Sequence, residues 1–125
     1  MADGFLLDSD ICIYLLKNLS PLLTRRVCEQ EEGSLFLSAI SYAEVGLGAR
    51  GKPDEQEALR RLSSDVMILP FDAAAAQCYA VLPFRRAKFD RLIAAHALAT
   101  GLTLVTNNEA DFSDIPGLAI ENWTL

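Results

Sequence analysis

The chain has 125 residues, 51 % of them apolar and 22 % charged, with a formal net charge of −6. That length suits one domain, 1–125, with a proper hydrophobic core, and the balance argues against disorder. No apolar run reaches the roughly 20 residues of a bilayer-spanning helix, and Met1-Ala2-Asp3-Gly4 lacks the regions of a secretory leader, so a cytoplasmic protein without membrane contact is expected.

Cys12, Cys28 and Cys78 are odd in number and far apart, which fits buried thiols in a reducing compartment. His96 is the single histidine, so a zinc site of nitrogen and sulfur ligands is nearly excluded, and any metal would be held by oxygen. The acidic balance argues against sequence-blind affinity for nucleic acid. It remains compatible with a nuclease, whose carboxylates would carry much of that charge. Positive charge is concentrated in Arg85, Arg86, Lys88 and Arg91, close to Asp90.

In chain order, Phe5-Leu6-Leu7 reads as a buried strand, and a helix follows from about Ser9 to Leu16. Ser20-Pro21 has the form of a cap and first helical residue, opening a helix that is expected to run to about Glu32 and stop at Gly33. Ser34 to Leu37 is a second short strand. Ser38 to Ser41 leads into a helix carrying Tyr42, Val45 and Leu47, and Pro53-Asp54 opens another. Val66 to Leu69 is the third strand. Asp72 caps an alanine-rich helix that Pro83 interrupts. A helix from about Phe89 to Ala99 ends at Gly101, before a fourth strand from Leu102 to Val105. Thr106-Asn107-Asn108 is a turn, Glu109 to Phe112 a short helical turn, and Leu118 to Glu121 a last strand. Strands alternating with helices imply an α/β three-layer sandwich: a mostly parallel sheet of four to five strands flanked by helices.

The acids fall at related points of this pattern. Asp8 and Asp10 follow the first strand, Glu44 sits early in the helix after the second, Asp90 begins the helix before the fourth, and Asp111 follows that strand. Parallel topology sends these strand ends to one edge of the sheet, where open α/β sheets collect ligands. Each acid also has a structural alternative. Asp8 or Ser9 suits a helix cap, Ser41 and Glu44 have the spacing of a capping box, Asp90 suits a cap, and Asp111 suits a solvated loop. A carboxylate set without histidine or cysteine suits Mg²⁺ or Mn²⁺, with a metal-activated water attacking a phosphodiester in line.

Four stretches carry a family resemblance. They are Leu7-Asp8-Ser9-Asp10-Ile11, Ser38-Ala39-Ile40-Ser41-Tyr42-Ala43-Glu44-Val45, the run from Phe89 through Asp90-Arg91 to Leu98, and Leu104-Val105-Thr106-Asn107-Asn108-Glu109-Ala110-Asp111-Phe112. In this order and separation the chain resembles the PIN-domain ribonucleases, and within them the VapC-type toxins of bacterial toxin–antitoxin pairs.

The resemblance implies a Mg²⁺-dependent endoribonuclease with Asp8, Glu44 and Asp90 around the metal. Many members carry an acid where this chain has Asn108, so the fourth position falls to Asp111 or to the neutral oxygen of Asn108. Asp10 stands where relatives commonly have asparagine. Ser9, Thr106 and Asn108 are expected to support the acids by hydrogen bonds. The resemblance further implies a homodimer, a small VapB-like antitoxin whose C-terminal tail enters the site, and a transfer or structured RNA as substrate.

Arg85, Arg86, Lys88 and Arg91, flanked by Phe84 and Phe89, are the expected RNA contacts, or else a solvated face. His96 and Trp123 are expected to be structural. Two rivals remain: a PIN fold acting only as a binding module, favoured by Asn108, and a haloacid-dehalogenase-like phosphotransferase with Asp8 as nucleophile. The latter family needs a lysine late in the chain, and here Lys88 is the last.

Overall fold

A computed structural model describes residues 4–84 and 89–125. The strands are Phe5–Leu7 (β1), Leu35–Ser38 (β2), Met67–Leu69 (β3), Thr103–Val105 (β4) and Ile120–Glu121 (β5). The helices are Ser9–Leu16 (α1), Pro21–Cys28 (α2), Ala39–Gly48 (α3), Pro53–Asp65 (α4), Ala73–Ala80 (α5) and Phe89–Thr100 (α6), with a 3₁₀ turn at Glu109–Phe112. All strand pairs are parallel, in the order β3-β2-β1-β4-β5. The sheet expected from the alternation of strands and helices is therefore present.

The two-residue period of a strand sends successive side chains to opposite faces, and each face builds its own core. Leu7, Leu35, Leu37 and Val105 point to one side, where Ile11 and Cys12 of α1, Leu23 of α2, Val45 of α3 and Leu59 of α4 cover them. Leu6 and Leu104 point to the other, beneath Ile93, Ala94 and Ala97 of α6, with Phe112 and Ile115 closing the edge. Three small alanines on the buried stripe of α6, at Ala94, Ala95 and Ala97, let that helix lie close to the sheet. Trp123 is buried and meets Phe5 edge-on at 4.9 Å, a packing role as expected.

Polar side chains start the helices as the sequence predicts. Ser20 accepts from the Leu23 amide at 3.1 Å with Pro21 in the first turn, and Asp72 accepts from the Ala75 amide at 3.0 Å. Gly101 ends α6 with φ of +69°, a conformation that costs other residues. The strands after β1 differ from expectation by one or two residues at their ends, and two helix boundaries differ for a physical reason. Helix α2 stops at Cys28, four residues short, because Glu29, Glu31 and Glu32 oppose the negative end of the helix dipole and bring no apolar surface to bury. Helix α3 begins at Ala39, since Ser38 caps it by accepting from the Ile40 amide at 3.1 Å. No helix among the described residues is long and apolar enough to cross a membrane.

Candidate active site

The strand order reverses between β1 and β4: β2 and β3 continue on one side of β1, while β4 and β5 lie on the other. This is the switch point where adjoining loops diverge and open a crevice. Asp8 leaves β1 there, with its amide donating to the Val105 carbonyl at 2.9 Å. Thr106 leaves β4 at the same level and is fully buried.

Both oxygens of the buried Asp8 carboxylate are engaged. Oδ1 accepts from the Ser9 amide at 2.8 Å, capping α1, and Oδ2 accepts from the Thr106 hydroxyl at 2.8 Å. Capping and site formation, posed as alternatives by the sequence, are thus two uses of one side chain. Burial is the largest influence on this acid and raises it to about 7. The Thr106 bond pulls the other way, and the negative charges of Asp90 and Asp10 add to the rise. An acid perturbed by burial and by like charges is a recurring mark of functional sites.

The neighbours are held by a hydrogen-bond chain. The Ser9 hydroxyl donates to Glu44 Oε1 at 2.6 Å, joining the start of α1 to α3. Glu44 is therefore not the partner in a capping box; Ser41 lies buried within α3, its hydroxyl without a hydrogen bond. On the other side, the Asn108 amide nitrogen of the backbone donates to Thr106 Oγ1 at 3.0 Å, and Asn108 Nδ2 donates to Asp10 Oδ2 at 3.2 Å. Asp90, in the first turn of α6, reaches this group through its charge on Asp8.

Two other expected site residues are held by different contacts. The backbone of Asp111, rather than its carboxylate, makes the contacts: its amide donates to the Asn108 carbonyl at 3.0 Å and its carbonyl accepts from Arg91 Nη2 at 3.4 Å. Arg91, expected as a surface RNA contact, is only 3 % exposed and its Nη2 pairs with Asp114 Oδ1 at 2.8 Å. The helical period turns it inward, beside the 3₁₀ turn and the acid that follows it. Arg85, Arg86 and Lys88 lie outside the described residues; Phe84 and Phe89, which flank that stretch in sequence, are exposed.

His96 is buried on α6, far round the helix from Asp90. Its Nδ1 meets the Ser38 hydroxyl at 2.8 Å, and burial lowers its proton affinity, so the ring is a structural hydrogen-bonding group. Sequence reading missed the Ser38–His96 link; a serine at the end of a buried strand and a lone histidine on an alanine-rich face were its only signals.

A divalent cation fits the donor chemistry here: hard oxygens, with the negative charges of Asp90 and Asp10 acting on the buried Asp8 and so favouring a counter-charge. The acids are not gathered into a ready-made shell, however. Among the described residues no three His, Cys, Asp or Glu side chains stand close enough to hold a metal as they are. The Ser9 bond occupies one oxygen of Glu44, and the Asp111 carboxylate makes no bond towards Asp8.

Comparison with known proteins matches residues 5–118 to the PIN domain family. The tRNA(fMet)-specific endonuclease VapC of Shigella flexneri is 32 % identical, covering 96 % of this chain and 98 % of its own. Ribonuclease VapC2 of Rickettsia felis is 31 % identical, with 95 % and 97 % covered. Among solved structures, VapBC2 from Rickettsia felis bound to a DNA fragment from their promoter superposes with a TM-score of 0.85 at 29 % identity, over 95 % of this chain and 98 % of that one. DNA-bound VapBC from Salmonella typhimurium gives 0.82 at 28 % identity, over 98 % and 99 %.

Proposed function

This chain belongs to the PIN domain family, and from that membership we propose that it is a VapC-type endoribonuclease, dependent on Mg²⁺ or Mn²⁺, that hydrolyses RNA phosphodiesters. The observation that carries the reading is Asp8: a carboxylate at the switch point, fixed at both oxygens and raised first by its burial and then by the charges of Asp90 and Asp10.

Asp8, Glu44 and Asp90 would hold the cation, with Asp111 or Asn108 adjoining. When bound, it supplies a counter-charge for the acids and for the phosphate and acidifies an attacking water. The protein's own share is preorganisation. Thr106 and the Ser9 amide fix the Asp8 carboxylate before any ligand arrives, and Ser9 keeps Glu44 facing the start of α1. Asn108 ties Asp10 to the turn that carries Thr106, so the second acid stays at the rim.

The same reading includes a place in a toxin–antitoxin pair in the cytoplasm. The partners would be a VapB-like antitoxin and a second copy of the chain, with transfer or structured RNA as substrate. The complexes of the Rickettsia felis and Salmonella typhimurium relatives support this, as do the exposed Tyr42 and Leu47 on α3, which leave apolar surface for a partner.

The test is cleavage of labelled RNA by purified protein with Mg²⁺ or Mn²⁺, against EDTA and Asp8→Asn. Loss in both controls is expected; cleavage that survives both would sink the cation mechanism. A second reading, a PIN fold that binds without cutting, is favoured by the neutral Asn108 and the ungathered acids. Stable RNA binding with no cleavage of any substrate, and no response to either cation, would establish it instead.

A further inference from the structure

A circuit of contacts leads from Asp8 round to Asp90 and passes through the buried Arg91. The Thr106 hydroxyl donates to Asp8 Oδ2 at 2.8 Å, and the Asn108 amide donates to Thr106 Oγ1 at 3.0 Å. The Asp111 amide then donates to the Asn108 carbonyl at 3.0 Å, and Arg91 Nη2 donates to the Asp111 carbonyl at 3.4 Å. The same nitrogen pairs with Asp114 Oδ1 at 2.8 Å, so one guanidinium group holds the segment after β4 at two points. Next to Arg91 stands Asp90, whose charge acts on Asp8 and completes the circuit.

Asp90 lies in the first turn of α6, where backbone amides have no partner within the helix. The direction of a side chain there depends on what anchors the helix start. Ile93 and Ala94 share a core cluster with Phe112 and Ile115, which draws α6 to the same segment. Apolar burial is non-directional, however, whereas a bonded guanidinium fixes an angle. With about 3.6 residues per turn, neighbouring side chains diverge by roughly 100°. Locking Arg91 inward therefore sets the direction in which Asp90 leaves the helix.

We propose that Arg91 is a positioning residue for the cation site: its clamp on Asp114 and the Asp111 carbonyl orients Asp90 towards Asp8. The inference rests on the reading of the chain as a cation-dependent ribonuclease. A buried guanidinium then arranges the acids without touching RNA, and the Asp111 backbone takes part in the site through it.

The test is Mn²⁺ binding to the purified full-length protein, followed by electron paramagnetic resonance without RNA. Arg91→Met keeps an unbranched side chain and removes its charge and bonds. Loss of a positive charge near the acids by itself tightens cation binding, so weaker binding reports position. The expected Kd for Mn²⁺ rises about 10- to 100-fold, the range for a group that orients a metal ligand. Arg91→Met combined with Asp114→Leu leaves the net charge unchanged and replaces the pair by apolar contact, an exchange that proteins commonly tolerate. It should weaken Mn²⁺ binding to a similar degree. Leu59→Ala, which opens a cavity in the core on the other face of the sheet, should lower the urea midpoint and leave the Kd unchanged. Unchanged or tighter binding in the Arg91 variants, or an equal weakening in Leu59→Ala, would overturn the clamp. A parent protein that binds no Mn²⁺ removes the cation reading and the clamp together. Binding that Asp8→Asn abolishes and the Arg91 variants leave intact removes the clamp alone.

Discussion

The Thr106 hydroxyl donates to Asp8 Oδ2 at 2.8 Å, across 98 residues of sequence, and closes the switch point between β1 and β4. Thr106→Val keeps the shape and removes the bond, leaving a buried acceptor and the Asn108 amide unpaired. Stability should fall by about 1–3 kcal/mol in urea unfolding. RNA cleavage should fall 10- to 100-fold, roughly the loss seen when a group orienting a metal ligand is removed. Thr106→Ser should restore most of both.

The raised Asp8 gives the cation-free protein a defined pH dependence. The unfolded acid ionises near 3.8, whereas the folded one keeps its proton up to about 7. The folded state binds the extra proton in that window, so stability falls as pH rises from about 4 through 7 and is level above it. A rise from 3.8 to about 7 corresponds to about 4 kcal/mol. In EDTA, thermal unfolding of Asp8→Asn should lose this slope and exceed the parent at pH 8. Asp10→Asn should do the same to a smaller degree, because Asp10 is among the lesser influences on Asp8.

His96 titrates in the opposite sense. Burial lowers its proton affinity below the ordinary 6.5, so the unfolded state takes up the proton first as pH falls. Its contribution is present above 6.5 and is lost as pH drops through the folded value. Ser38→Ala removes both the α3 cap and the ring's partner, and should cost about 1–3 kcal/mol of stability with the parallel sheet intact by circular dichroism.

Asp114→Ala should destabilise through Arg91, which would keep its charge in the interior without its partner. Breaking such a pair costs about 3–5 kcal/mol, and because Asp114 is 29 % exposed the lower end applies. A lower urea midpoint with an unchanged slope would confirm it; an unchanged midpoint would show that the pair is energetically idle.

The fold and the positions of the acids were legible because strand ends and helix starts announce themselves through period and capping chemistry. Asp8, Glu44 and Asp90 follow from counting which strand each adjoins. The backbone contacts of Asp111 and the burial of Arg91 were not legible. Both sit where a helix or 3₁₀ turn meets the sheet edge, and the direction of a side chain there depends on packing, not on neighbours in sequence. Charge alone placed Arg91 on the surface, whereas an aspartate 23 positions later draws it inside. Spacing likewise offered Ser41 as the partner of Glu44, while the hydroxyl that reaches it comes from Ser9, 35 positions earlier.

Central strand β1 has a consequence for biosynthesis. Its two neighbours come from very different times of translation: Leu35 pairs with Phe5 early, but Thr103 reaches the other side of Phe5 only 98 residues after it. Until β4 emerges, Asp8 has no Thr106 to hold it, and one edge of β1 stands open. Pairing over such a separation is also slow to close. A nascent or truncated chain lacking β4 therefore carries the acids of the site without their arrangement, and the ribosome must pass Thr106 before the crevice exists.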